Sequence, residues 1–186
     1  MKRRPTVDEA RPGQCPACEA PSRPSGGTLG LHGHGRRERH QWGPVEVGGT
    51  PRLLGILARR YECQSCGAIV MVVPCGVVYR RLYSAGAIAL ALALWGVTLL
   101  APAEVRRQVS PFVIVGDTAA AGWESLRRWS HAVRAGQLFP VVRALPAEVT
   151  LRQVAARAAT TLAACAPGSK GLSIDSAAFL GAAHVR

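Results

Sequence analysis

The sequence predicts an α+β protein, a small β-rich region followed by an all-α bundle of helix-turn-helix type. Three observations carry this. Two Cys-x-x-Cys pairs, Cys15-Pro16-Ala17-Cys18 and Cys63-Gln64-Ser65-Cys66, bracket a stretch rich in Gly and Arg with short β-like runs. From residue 83 the composition turns to Ala, Leu and Arg at helical spacing. Across all 186 residues, 23 Lys and Arg face 11 Asp and Glu, a net charge of +12, and only Lys2 and Lys170 among the 23 are lysines.

A Cys-x-x-Cys turn presents two thiolates to one metal ion, and two such turns complete a tetrahedral four-thiolate site. The basic N-terminus has no apolar run behind it, so no secretory signal is expected and the compartment reads as a reducing cytosol. There, paired cysteines hold metal more often than they form disulfides. Cys15, Cys18, Cys63 and Cys66 are the expected ligands of one structural zinc ion, and the β-rich region reads as a zinc ribbon. Gly67 supplies a tight turn after the second pair, whereas Glu19 stands at the matching place after the first. The 44 residues between Cys18 and Cys63 exceed the spacing of compact zinc modules and call for a long β-hairpin. Leu53–Tyr61 and Ala68–Val73 read as strands, with turns at Ser25-Gly26-Gly27, Gly33, Gly35 and Gly48-Gly49. His32, His34 and His40 read as exposed side chains, Cys75 and Cys165 as small buried ones.

Helices are expected near 83–100, 103–109, 117–135 and 147–165. Pro102 suits a first helical position and Glu104 the first turn. Asp117 is the expected N-cap of the third helix and Gly136 its stop. Thr150 or Pro146 opens the fourth, and Pro167-Gly168 closes it. The predicted organisation is a flexible basic arm (1–14), the zinc ribbon (15–82), a helical bundle (83–165) and a C-terminal tail (166–186) with a weak helix around Ser176–Ala183.

Ser84–Ala101 runs 18 positions without a charge behind Arg80 and Arg81, the lower limit for a membrane span. Six Ala and two Gly among the 18 weaken that reading. Apolar ridges with small residues between them favour a buried central helix.

The basic residues cluster. Arg36, Arg37 and Arg39 precede Trp42, and Arg59 and Arg60 precede the second cysteine pair. Arg106 and Arg107 lie on the second helix. On the third, Trp123, Leu126, Trp129 and Val133 form an apolar stripe, with Arg127, Arg128, His131 and Arg134 off it. Guanidinium forks suit phosphates and guanine edges, so these are the candidate DNA contacts. The seven-residue link Ser110–Gly116 makes this a looser helix-turn-helix. No GxxxxGK[ST], GxSxG, HExxH or GxGxxG motif occurs, and the only aspartates, Asp8, Asp117 and Asp175, are scattered, so no enzyme is expected.

The CPAC and YECQSCG motifs with their Arg/His-rich and apolar strands, followed by AEVRRQV and GWESLRRW, resemble the zinc-ribbon and helix-turn-helix region of bacterial insertion-sequence transposases over residues 15–135. The resemblance implies binding to double-stranded DNA, with zinc on the four cysteines and Arg127 and Arg128 at recognition-helix positions. It departs at the C-terminal side: Glu148 and Asp175 are the only acids after Gly136, too few for the three metal-binding carboxylates of a transposase catalytic domain. The expectation is a stand-alone, nucleoid-associated binding half that takes no small-molecule substrate, with a homodimer left open. Two rival readings are a membrane-anchored protein with a cytosolic zinc ribbon and a zinc-ribbon module for protein or RNA.

Overall fold

The computed structural model describes residues 4–113, 115–116 and 122–185. Among these, β1 (Leu31–Gly43), β2 (Arg52–Cys63) and β3 (Ile69–Val72) form one antiparallel sheet in the order β1-β2-β3. Five helices follow: α1 (Ala85–Gly96), α2 (Pro102–Val109), α3 (Glu124–Arg134), α4 (Leu151–Ala164) and α5 (Ile174–Gly181). The mixed α+β class is the one the composition predicts. The chain divides into two units that are not consecutive in sequence. One comprises the residues up to His40 with Gly55–Pro74, the other Gln41–Leu54 with everything from Cys75 onward.

β1 and β2 are the long hairpin that the spacing of the cysteine pairs demands, and the first unit holds β1 as far as His40 and β2 from Gly55. Pairing of β2 with β3 sets Arg59 opposite Val72 and Tyr61 opposite Val70. The core is small: Leu31, Tyr61 and Val70 are buried together with Cys15 and Cys63. The segment expected as a free arm lies on this sheet. Tyr61 Oη donates to the Val7 carbonyl at 2.6 Å, and Arg11 Nε to the Leu31 carbonyl at 3.0 Å. The Arg11 guanidinium sits 5.9 Å from the centre of the Tyr61 ring. A buried tyrosine hydroxyl needs a partner, and the N-terminal backbone supplies it.

In the second unit, α1 is buried on nearly all sides. Ser84 caps it by accepting from the Ala87 N–H at 3.0 Å. At twelve residues it is about 18 Å long, against about 30 Å of hydrocarbon. Among the described residues no helix is long and apolar enough to cross a membrane. The expected helix to residue 100 stops at Gly96, and Leu99 turns back at φ 59°. Glycines set the spacing between helices. A Cβ on Gly96 would lie 2.4 Å from the Ala156 nitrogen of α4, and one on Gly181 only 1.8 Å from the Leu162 carbonyl oxygen. Contacts this close bring α1, α4 and α5 together. The C-terminal stretch is therefore a core helix rather than a tail, with Ala177, Ala178 and Phe179 of α5 buried.

Several local signals act as expected. Pro102 starts α2. Thr150 and Gln153 form a reciprocal capping box on α4. Gly136 ends α3 at φ 67°, with its own N–H on the Val133 carbonyl and the Gln137 N–H on the Ala132 carbonyl. The apolar stripe Trp123, Leu126, Trp129 and Val133 is buried throughout.

The start of α3 differs from expectation. Asp117 lies outside the described residues, and the helix begins at Glu124 behind an extended Trp123 that makes no side-chain cap. Ser110 ends α2 and Trp123 precedes α3, with 114 and 117–121 between them outside the described residues. The two helices each pack on α1. Aromatic packing surrounds Trp123 at the start of α3. Tyr83 contacts Trp123 and Trp129 edge-on at 5.7 and 5.1 Å, and its hydroxyl bonds Ser110 at 3.0 Å. Trp42 joins the cluster through Tyr83 and Phe112.

Candidate metal centre and basic surfaces

The four predicted ligand cysteines come together. Their sulfurs all lie within 4.8 Å of one another, with Cys15 to Cys66 at 3.9 Å and Cys18 to Cys63 at 3.7 Å. Four thiolates about 2.3 Å from a tetrahedral ion have edges of about 3.8 Å, so the cluster has the size to hold one metal ion.

The two knuckles repeat one backbone design. Cys15 N–H bonds the Ala20 carbonyl and Cys63 N–H the Ala68 carbonyl, both at 2.9 Å. Glu19 N–H returns to the Cys15 carbonyl and Gly67 N–H to the Cys63 carbonyl, both at 2.8 Å. Each turn needs a left-handed residue after its second cysteine, filled by Glu19 at φ 59° and Gly67 at φ 70°. The glutamate at the glycine position thus accepts the same conformation. In each knuckle the first cysteine is buried and the second exposed.

The thiols are electrostatically unequal. The Cys66 N–H, aided by the Ser65 N–H and neighbouring sulfurs against desolvation, brings Cys63 down to about 6. The Ala20 N–H pulls Cys18 down, but the sulfurs around it and desolvation outweigh that and push it up to about 12. Metal entry must displace the Cys18 proton. The other cysteines stand outside the cluster: Cys75 is exposed rather than buried as expected, and Cys165 is half-buried on the Thr161 carbonyl. His32, His34 and His40 are exposed and also outside it.

The predicted DNA-contact residues fall into separate groups. Arg36 and Arg37 on β1 are exposed, whereas Arg39 on β1 and Arg59 and Arg60 on β2 are half-buried. Successive strand residues face opposite ways, so Arg59 and Arg60 lie on different faces of the sheet. Arg59 shares a groove with Arg36 and with Arg4, which the sequence reading left aside. Arg107 on α2 is exposed and Arg106 half-buried, lining a depression with Trp42 and Tyr83. On α3, Arg127, Arg128 and His131 are exposed.

Arg128, His131 and Arg134 come together with Arg81 around an open depression of about 530 Å³ that no carboxylate lines. Arg128 reaches Glu124 only at 3.7 Å between exposed atoms, a weak pair. Arg134 donates to the Val149 carbonyl, and its Nε is buried with no partner among the described residues. Arg81 was legible in the sequence only as a basic flank of the apolar stretch; its place beside α3 is a tertiary fact.

No family model, curated protein or solved structure matches the chain.

Proposed function

We propose that the chain is a non-catalytic, zinc-stabilised protein that binds double-stranded DNA through its arginine surfaces. The observation that carries this reading is the depression beside α3, where three guanidiniums and an imidazole converge with no carboxylate among the lining residues. Duplex DNA carries one negative charge per about 1.7 Å of axis, so a fixed cluster of guanidiniums gains by displacing its counterions. Arg127 and Arg128, both exposed on α3, extend the cationic surface. The resemblance to the N-terminal region of insertion-sequence transposases supports the same partner.

Zinc is the metal proposed for the cysteine cluster, since four thiolates in a tetrahedron suit it and leave no open position for catalysis. Its role is structural: Cys15, Cys18, Cys63 and Cys66 would hold it where the apolar cluster beside it is small, Leu31, Tyr61 and Val70 besides two of the ligands.

The test is anisotropy titration of a random-sequence duplex with metal-loaded protein at several salt concentrations. Arg127→Ala/Arg128→Ala should weaken binding about tenfold and reduce the salt slope by about 2. Unchanged affinity and slope in the double variant would remove α3 from the interface.

A further inference from the structure

We propose that the cysteine-bearing unit contains a second binding site, a groove that takes a phosphorylated nucleoside. It belongs to a different unit from the α3 depression and does not rest on the reading above. The groove measures about 540 Å³, within the range of small-molecule sites and much larger than a phosphate ion needs. Its floor is the sheet face that carries Leu57 of β2, with Val72 of β3 placed on that face by its pairing with Arg59. The N-terminal segment around Pro5 forms one wall.

Three guanidiniums border this apolar floor, from Arg4, Arg36 and Arg59, and no carboxylate lines it. Arg59 is pinned by donating from Nη2 to the Pro5 carbonyl at 2.5 Å, which uses one of its five N–H donors. A guanidinium held in place binds a phosphate through paired hydrogen bonds and stacks on a flat ring. Leu57 and Val72 offer the other face of such a ring an aliphatic surface. A fatty acyl chain would leave three cations without partners, and a bare anion would leave the floor uncovered. A phosphate joined to a base satisfies both, whether free or at a strand terminus.

The experiment follows backbone amide resonances of the full, metal-loaded chain during titration with adenosine monophosphate, inorganic phosphate, an acidic glutamate peptide and a short single-stranded oligonucleotide. Adenosine monophosphate should shift the Leu57, Val72 and Val73 amides with an affinity about tenfold or more above that of phosphate. Leu57→Glu, at an exposed position, should keep the folded spectrum and lose that response. Tighter binding of the oligonucleotide at the same amides assigns the site to a strand, and tighter binding of the mononucleotide assigns it to a free nucleotide. The proposal is overturned if phosphate or the peptide reproduces the shifts, if these amides do not respond to the nucleotide, or if the folded Leu57→Glu variant responds as before.

Discussion

Single atoms decide most at the cysteine cluster. Cys63 ionises at about 6 while Cys18 holds its proton up to about 12, so at neutral pH a metal meets one thiolate already formed and one thiol that must be deprotonated. Metal binding should therefore release protons and tighten as pH rises, which calorimetry in buffers of different ionisation enthalpy measures. Binding without proton release would contradict the charge assignment. Cys63→Ser should lose stoichiometric metal and amide protection in its unit, and a variant that keeps one metal per chain with native protection would exclude the four-thiolate site. Gly67 has open space around its Cβ position but a φ of 70°. Gly67→Ala should thus cost about 1–2 kcal/mol in thermal unfolding through backbone strain alone. The four cysteines were legible as a cluster because a Cys-x-x-Cys pair is a local motif. The inequality of the thiols was not, since it arises from the backbone N–H groups and neighbouring sulfurs that the fold gathers around each one.

The helices of the second unit are held by glycines where their backbones meet. Gly96→Ala and Gly181→Ala should each destabilise by about 1–3 kcal/mol, because the atoms in the way are backbone that only helix separation can relieve. Gly122→Ala, with open space around it, is the control and should be nearly neutral. A neutral Gly181→Ala would mean that α4 and α5 do not approach as described. The small residues of Ser84–Ala101 announced a packed helix, and Pro102, Thr150 and Gly136 marked ends because capping is a matter of neighbouring residues. The beginning of α3 was illegible for the opposite reason. Trp123 is withdrawn from the helix by its packing on Tyr83, forty residues away in sequence. The eight residues of α5 carry too little periodicity to be read as core. The N-terminal segment looked like a free arm because the need it fills, a partner for the Tyr61 hydroxyl, lies far along the chain.

For the molecule as a whole, charge is the property that reaches furthest. A net charge of +12, carried almost entirely by arginine, resists compaction, and the duplex proposed as partner would offset it. The α+β class and the cluster of four cysteines were open to sequence reading. The grouping of cations was not: Arg81 with α3, and Arg4 with Arg36 and Arg59, are brought together only by the fold. Binding of the metal-loaded chain to duplex DNA is the proposal that joins these features. The most direct measurement is equilibrium binding of the zinc-loaded protein to a random-sequence duplex and to the same sequence as RNA, with salt raised upward from about 150 mM. The account predicts that the duplex is preferred and that its affinity falls linearly with the logarithm of salt concentration, with a slope reporting several phosphate contacts. Folded, zinc-loaded protein that retains no duplex at the lowest salt, or that prefers the RNA, would contradict it.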